Sequence, residues 1–353
     1  MYICVLSSLP DENDIPYDPS PYLEGRKWRH HVVQESNVEE QIKTLMDDGV
    51  DVFINLCDGT PDEPVSGVKL VKAMEKLGAA FTGAGPSFFD PTRQEMKRAA
   101  ARVGVPTPAS TFVKSIADIE RAARTLRFPM LVKPPHGYAS YGIRKESRAT
   151  NLDELKIQAQ ITMRDDGRAL IEEFIEGREF TCLLAEDPED PAHPITFKPV
   201  EFVFPEGESF KHYDMKWVNY EQMSVKVVDN PNYENRLREY TTKVFMALDG
   251  NGYARCDYRL GSDGELYMLE INPNCGIFYP PTEPGSADFS LLNDPFGHQG
   301  FMDLIIRSAL SRQAETLRVA PQIITKREMI KQEVVKPQAK RASVKREVAK
   351  RPT

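Results

Sequence analysis

Residues 255–274, RCDYRLGSDGELYMLEINPN, set an arginine, two acids and an amide where a single surface can carry them. Runs rich in aromatic, aliphatic and β-branched residues flank Gly261-Ser262-Asp263-Gly264, a pattern that predicts a hairpin. A symmetric turn pairs residues whose numbers sum to 525, so Arg255 faces Glu270 and Asp257 faces Met268. Side chains alternate along a strand, which puts Arg255, Asp257, Glu270 and Asn272 on one face. A one-residue slip would undo that arrangement. Three hard oxygen ligands beside an arginine suit magnesium that shares its shell with phosphate oxygens. The plain alternative is a solvated hairpin with a cross-strand ion pair, and the hairpin alone does not choose between them.

Other segments carry compatible chemistry. PMLVKPPHGYASYGIRK (residues 129–145) places Lys133 at the end of a buried-type strand, followed by a loop of small residues. Lys133 offers a point charge for phosphate, and the loop amides of Tyr138, Ala139, Ser140 and Gly142 offer a wrap for phosphate oxygens. The loop matches neither a Walker motif nor a GxGxxG fingerprint. LIEEFIEGREFTCLLA (residues 170–185) brackets an apolar stretch and a glycine with Glu172, Glu173 and Glu179. A carboxylate there can accept from an adenine amino group or a ribose hydroxyl, and exposed backbone between strands can read a purine edge. An acidic edge strand is the plain alternative. Lys97, on a helix rich in Arg and Lys, and Lys216, in YDMKW, gain meaning only beside the rest.

These residues need a scaffold, and 353 residues predict two or three domains. Residues 1–85 alternate strand and helix signals: strands at 2–7, 50–57 and 80–82, helices at 38–48 and 65–77, and a polar, Pro-rich loop over 7–28. A Gly/Pro-rich connection (83–91) leads to a helix at 93–103, a strand at 111–113, a helix at 116–126 and strands at 130–133 and 169–174. The last portion carries several strands, a helix at 233–248, the hairpin and a closing helix at 300–310. We place domain boundaries at 1–90, 91–180 and 181–320, with a tail over 321–353. The composition, 41% hydrophobic and 28% charged, is that of a soluble globular chain. No apolar run reaches the ~18 residues of a membrane span, and MYICVLSSLP reads as a first strand rather than a leader. Five scattered cysteines without zinc-ligand spacing read as reduced thiols of a cytoplasmic protein. The net charge of −8 divides into +7 over residues 326–353 and −15 over the rest. The basic tail reads as disordered or partly helical, able to meet nucleic acid, anionic lipid or an acidic partner. The acidic body argues against nucleic acid as the main ligand.

The order of these features, Lys97, Lys133 with its loop, Glu172 to Glu179, Lys216 and then the hairpin, resembles the ATP-grasp superfamily. Within it, EFIEGREFT and residues 255–276 are most similar to the D-alanine:D-alanine ligase branch. The resemblance implies an α/β (α+β) fold of three domains with ATP between two antiparallel sheets. It implies that Lys97 and Lys133 touch nucleotide phosphates, with Tyr138, Ala139, Ser140 and Gly142 in a mobile phosphate loop. It further assigns Glu172 to the adenine amino group, Glu173, Phe174 and Ile175 to an adenine-reading hinge, Glu179 to the ribose and Lys216 to the terminal phosphates. Asp257, Glu270 and Asn272 become ligands of two magnesium ions, with manganese as the alternative. Arg255 and the Gly276 amide become stabilisers of acyl phosphate and oxyanion. The implied reaction joins a carboxylate to an amine through an acyl phosphate. Dimers are common among similar enzymes, so a homodimer is a further implication.

The substrate half departs from that pattern. LSSLPDENDIPYDPSPY stands where D-alanine:D-alanine ligases carry a Gly-rich segment with a Ser and a Glu. Ala139 stands at the serine position, Trp217 at the tyrosine position and Asp58-Gly59 at the histidine-glycine pair, while residues 277–281 replace a Met-Thr segment. The expectation is therefore a small-molecule or amino-acid substrate other than D-alanine pairs, with Tyr138, Tyr141, Trp217, Phe278 and Tyr279 either shaping a bulkier pocket or packing. A kinase-type phosphotransferase that releases its phosphorylated product, and a nucleotide-binding scaffold using the basic tail, are the rival readings.

Overall fold

The computed structural model describes residues 1–8, 16–59, 67–136 and 140–334. Among these described residues, thirteen strands form three sheets in chain order. The first sheet is parallel, with β1 (Tyr2–Ser7) between β2 (Lys27–Val32) and β3 (Val52–Asn55). The second is antiparallel and contains β4 (Ser110–Val113), β5 (Met130–Lys133), β6 (Arg148–Ala149) and β7 (Ala169–Glu173) in the order β4-β7-β5-β6. The third, also antiparallel, contains β8 (Arg178–Ala185), β9 (Ile195–Thr196), β10 (Val200–Val203), β11 (Ser224–Val227), β12 (Tyr253–Leu260) and β13 (Leu266–Pro273). Its order is β11-β10-β8-β12-β13, with β9 on β8.

Helices α1 (Val38–Asp47) and α2 (Gly67–Leu77) pack on each other beside the first sheet, and α4 (Ile116–Thr125) and α5 (Leu152–Asp166) cover the second. The helices α3 (Arg93–Arg102) and α7 (Pro231–Ala247) lie on the third sheet, with α6 (Tyr213–Trp217), α8 (Ser286–Leu292) and α9 (Gly297–Val334) completing the set. Local chemistry sets the ends. Thr92 and Glu95 close a reciprocal capping box at the start of α3. Asn151 caps α5, and left-handed Gly167 ends it.

The second sheet has its own core around Val132, Leu155 and Ile171. The first and third sheets share theirs: Cys4 and Phe53 belong to one apolar cluster with Phe180, Cys256 and Tyr258. Four expectations change. Of residues 80–82 only Phe81 pairs, in one bridge to Phe53. The polar loop ends sooner, because KWRHHV forms edge strand β2; an exposed edge strand carries little apolar signal. Helix α5 joins the second sheet unannounced. The closing helix starts at Gly297 and runs to Val334, so residues 321–334 of the tail are helical. They are rich in Lys, Arg, Glu and Gln, which propagate a helix already nucleated by the packed segment before them. Residues 335–353 of the tail lie outside the described residues. The cysteines do not depart from expectation: all five are buried free thiols.

Gly252 holds the joint just before β12. Its φ is +70°, and a Cβ there would lie 2.0 Å from the carbonyl oxygen of Gly83. Its amide donates to Glu186 (3.1 Å), and its carbonyl accepts from the Glu186 amide (2.7 Å). Gly252→Ala is expected to cost about 2 kcal/mol or more by urea denaturation, since both the left-handed backbone and the backbone clash must be relieved.

Candidate functional site

The hairpin forms, with a different register from the symmetric one. Its loop is five residues long, 261–265, so Leu260 pairs with Leu266 and Tyr258 with Met268. That alone would turn Glu270 and Asn272 away from Asp257. A bulge at Leu269 then inserts one more residue, so Asp257 pairs with Glu270 and Arg255 with Asn272. Two single-residue shifts sum to an even number, and the four side chains share one face as expected, although neither predicted pairing survives. Cys256 and Tyr258 point from the other side of β12 into the shared core.

The face is tightly bonded. Arg255 Nε and Nη2 each donate to Asp257 at 3.0 Å. Thr181 Oγ1 donates to Asp257 at 2.6 Å, and Asn272 Nδ2 donates to Asp257 at 3.2 Å and to Glu270 at 3.4 Å. Burial pushes the Asp257 carboxyl up, but Arg255 and Lys211 outweigh it and hold the group at about 2. Glu270 is likewise held below its usual range against burial, chiefly by Arg93, whose Nη1 donates to it at 3.1 Å. Both acids are therefore ionised at neutral pH. Two ionised carboxylates and an amide that turns its oxygen by rotating half a turn form an oxygen donor set suited to a hard divalent ion.

Opposite stands the second sheet. Glu172, 3% exposed, pairs with Lys97 (2.8 Å) and Lys133 (2.6 Å), and Lys97 also donates to the Pro108 carbonyl (3.0 Å). Burial raises the Glu172 carboxyl, but the two lysines overcome it and leave the acid well below its normal range. Desolvation lowers Lys133 in turn. The Glu173 carboxylate is taken up by the amide (2.9 Å) and guanidinium (2.8 Å) of Arg127. The backbone of the hinge is tied as well: the Glu173 amide donates to Ala109 and the Phe174 amide to Pro129, each at 2.8 Å.

One cleft between the two antiparallel sheets is lined by Lys133, Ser140, Glu172, Glu173, Phe174, Ile175, Glu179, Lys216, Arg255, Asp257 and Glu270. Lys97 and Asn272 join through their bonds to Glu172, Asp257 and Glu270. Gly276 lies beyond, where a Cβ would fall 2.8 Å from the Tyr279 hydroxyl and 2.9 Å from that of Tyr17. Gly142 is left-handed (φ +70°) beside Pro134 and does not line the cleft, and Tyr138 and Ala139 lie outside the described residues. Of the aromatic residues, Phe278 is fully buried against Tyr22 and Phe301 and belongs to the core. Tyr141 is exposed and Trp217 is 45% exposed, whereas Tyr279 meets Tyr17 edge-on at 4.8 Å. Among the described residues, the aromatic set is therefore not one pocket wall; Tyr138 lies outside them.

Sequence reasoning missed Arg93, Lys211, Arg259 and Leu269. Arg259 was within reach: it follows Arg255 and Asp257 at the same two-residue spacing on an unbulged strand. Arg93 and Lys211 carry no local signal, since only packing brings α3 and the 209–212 loop to the cleft.

Lys216 stands recessed in the cleft with its pKa lowered to about 8, mainly by desolvation and then by Arg255. The unfolded chain thus holds the proton more tightly, so the folded state is penalised as pH falls below the ordinary lysine pKa, fully so below about pH 8. Lys216→Met is expected to stabilise the ligand-free protein at pH 7, an advantage that shrinks as pH rises from about 8 towards 10, measured by urea unfolding across pH.

Comparison with known proteins bears on the family and the fold. The sequence model described as D-ala D-ala ligase C-terminus matches residues 102–302. A D-alanine–D-alanine ligase of Pseudomonas fluorescens is 30% identical over 222 residues, 62% of this chain and 62% of that protein. The D-alanine–D-alanine ligase A of Mesorhizobium japonicum is 26% identical over 275 residues, 75% of this chain and 72% of that protein. The match thus spans about three fifths of the Pseudomonas relative's length. In fold, the chain resembles the D-alanine–D-alanine ligase of Bacillus anthracis complexed with ATP, with TM-score 0.68, 18% identity, and 90% of this chain and 99% of that one covered. It also resembles that of Coxiella burnetii, with TM-score 0.67, 14% identity, and 93% and 99% covered. The chain has the ATP-grasp fold and belongs to the family defined by the D-alanine:D-alanine ligase C-terminal domain.

Proposed function

We propose that this chain is an ATP-dependent carboxylate–amine ligase working through an acyl phosphate. The observation that carries the reading is the convergence of Lys97, Lys133 and Lys216 with Arg255, Asp257, Glu270 and Asn272 on one cleft between two antiparallel sheets. A carboxylate is a poor acyl donor because its leaving group would be oxide. Phosphorylation by ATP makes phosphate the leaving group, which an amine displaces.

The roles we assign are those the family resemblance implies, supported by where the residues lie. Lys97, Lys133 and Lys216 meet phosphate charge; the first two exchange Glu172 for phosphate oxygens or share themselves between both. The hinge from Glu173 to Ile175 presents backbone to the adenine, and Glu179 receives the ribose. Arg255, already charged and oriented by Asp257, offsets the charge that develops on the acyl oxygen, with the Gly276 amide beside it. Asp257, Glu270 and Asn272 are the donors that would hold magnesium or manganese. Such an ion, when bound, supplies positive charge against the phosphoryl oxygens. Residues 1–90, 91–180 and 181–320 are our proposed domains, with nucleotide between the latter two.

On the substrate, both relatives named above are D-alanine ligases, and the expectation of a different substrate finds no support in them. A neighbour in fold is a D-Ala:D-Ser ligase of Enterococcus faecalis, with TM-score 0.65. D-Alanine therefore stands first in the test. The argument for another acceptor rests on the sequence departures alone: the segment LSSLPDENDIPYDPSPY, Ala139, Trp217, Asp58-Gly59 and residues 277–281.

The deciding assay is phosphate release from MgATP with D-alanine, then with pooled amino acids and small carboxylates, reading products by mass. Amine-dependent release with a condensed mass supports a ligase. A phosphorylated product without amine dependence identifies the phosphotransferase. ATP bound but never turned over leaves a nucleotide-binding scaffold. Glu270→Gln is expected to keep the fold, checked by circular dichroism, and to lower turnover by more than about 100-fold, beyond the loss of an outer-shell partner of a metal site.

A further inference from the structure

We propose that Arg259 is a positioning residue for the nucleotide, fixing the carboxylate of Glu179 and the hinge backbone at Ile175 in the geometry that reads a nucleoside. The proposal rests on the ATP reading above and goes beyond it to a residue that contributes neither phosphate charge nor metal ligation.

Arg259 is 2% exposed, at the third same-face position of β12 after Arg255 and Asp257. Its Nε and Nη2 donate to the Oε2 of Glu179 at 3.3 and 3.1 Å. Its Nη1 donates to the Ile175 carbonyl at 2.8 Å, and Nη2 also donates to the Ser209 carbonyl. The guanidinium lies 4.6 Å from the ring centre of Phe174, which Phe210 meets edge-on at 5.5 Å. One planar cation thus ties the β7–β8 connection, the start of β8 and the loop before α6. Lys211 in that loop approaches the other oxygen of Glu179 at 3.5 Å.

The same loop receives the end of the phosphate segment: Ser140 Oγ donates to the Lys211 carbonyl at 2.7 Å, and the Tyr213 amide donates to the Ile143 carbonyl at 2.8 Å. Lys216 follows on α6. Arg259 is therefore the hub between the groups that would read the nucleoside and the loop that leads to a phosphate-facing lysine. A pocket floor needs only apolar volume, and burying a guanidinium there is costly unless its fork is used. Every polar contact of the fork goes to the hinge, Glu179 or that loop.

The test compares wild type, Arg259→Met and Arg259→Lys with three probes: MgATP, its 2′,3′-dideoxy analogue and inorganic tripolyphosphate. Wild type is expected to prefer ATP over the dideoxy analogue by about 10-fold or more, the scale of a charge-assisted hydrogen bond. Arg259→Met should raise KM for ATP by about 10-fold with kcat within about threefold, and should erase most of the ribose preference. Its tripolyphosphate affinity should stay at the wild-type level, because the phosphate-facing lysines are untouched. Arg259→Lys, which keeps charge without the fork, should fall between the two and decides the matter if the Met variant fails to fold.

A folded variant that retains the full ribose preference overturns the proposal, as does one that loses ATP and tripolyphosphate in equal measure, the mark of a general structural prop. Wild type that binds ATP without distinguishing the dideoxy analogue overturns this inference and leaves the ligase reading standing. Wild type with no affinity for ATP overturns both.

Discussion

Burying several carboxylates next to one another is the constraint around which this molecule is arranged. An ionised carboxylate withdrawn from water without a partner costs several kcal/mol, so each must be met by cations and hydrogen-bond donors from elsewhere in the chain. Glu172 is met by Lys97 and Lys133, Glu179 by Arg259 and Lys211, Asp257 by Arg255 and Thr181, and Glu270 by Arg93. No sheet could supply these partners alone. Lys97 and Arg93 come from α3, which packs on the third sheet, yet Lys97 reaches Glu172 of the second.

That arrangement explains how stability and function share residues. The ion pairs that make burial tolerable hold the same groups the proposed chemistry needs, already charged and oriented. Arg255 is locked by two bonds to Asp257, so in the proposed reaction little reorganisation would remain as charge develops beside it. Lys133 and Lys97 are kept in the cleft by Glu172, where phosphate oxygens can compete for them. Lys216 has no such carboxylate partner among the described residues, and its pKa is lowered by desolvation and then by Arg255.

Much of the fold was legible because its elements announce themselves locally. Buried strands such as β5 and β7 read as short apolar runs, and α3 and α4 begin at capping residues that sequence alone displays. Edge strand β2 was invisible because a strand open to solvent keeps polar residues. Helix α5 was overlooked although Asn151 and Gly167 mark its ends, since polar residues interrupt its apolar face. In the site, the grouping of Arg255, Asp257, Glu270 and Asn272 was legible from alternation alone. Its pairing was not, because the five-residue loop and the bulge at Leu269 depend on backbone hydrogen bonding that composition does not encode.

By itself, then, the sequence determined the chemistry on each segment: which strands are buried, where acids and bases alternate, and in what order the residues proposed to face phosphate, face the nucleoside and ligate metal follow one another. These are properties of near neighbours along the chain, governed by side-chain periodicity and capping. Only the tertiary structure decided which of those groups meet. Arg93 touching Glu270, Arg259 gripping Glu179 and Ile175, and Tyr17 closing on Gly276 join residues from 80 to more than 250 positions apart. Such contacts arise from the packing of whole sheets and helices against one another. The partner that neutralises a buried charge is therefore chosen by the assembled fold, not by its neighbours in the chain.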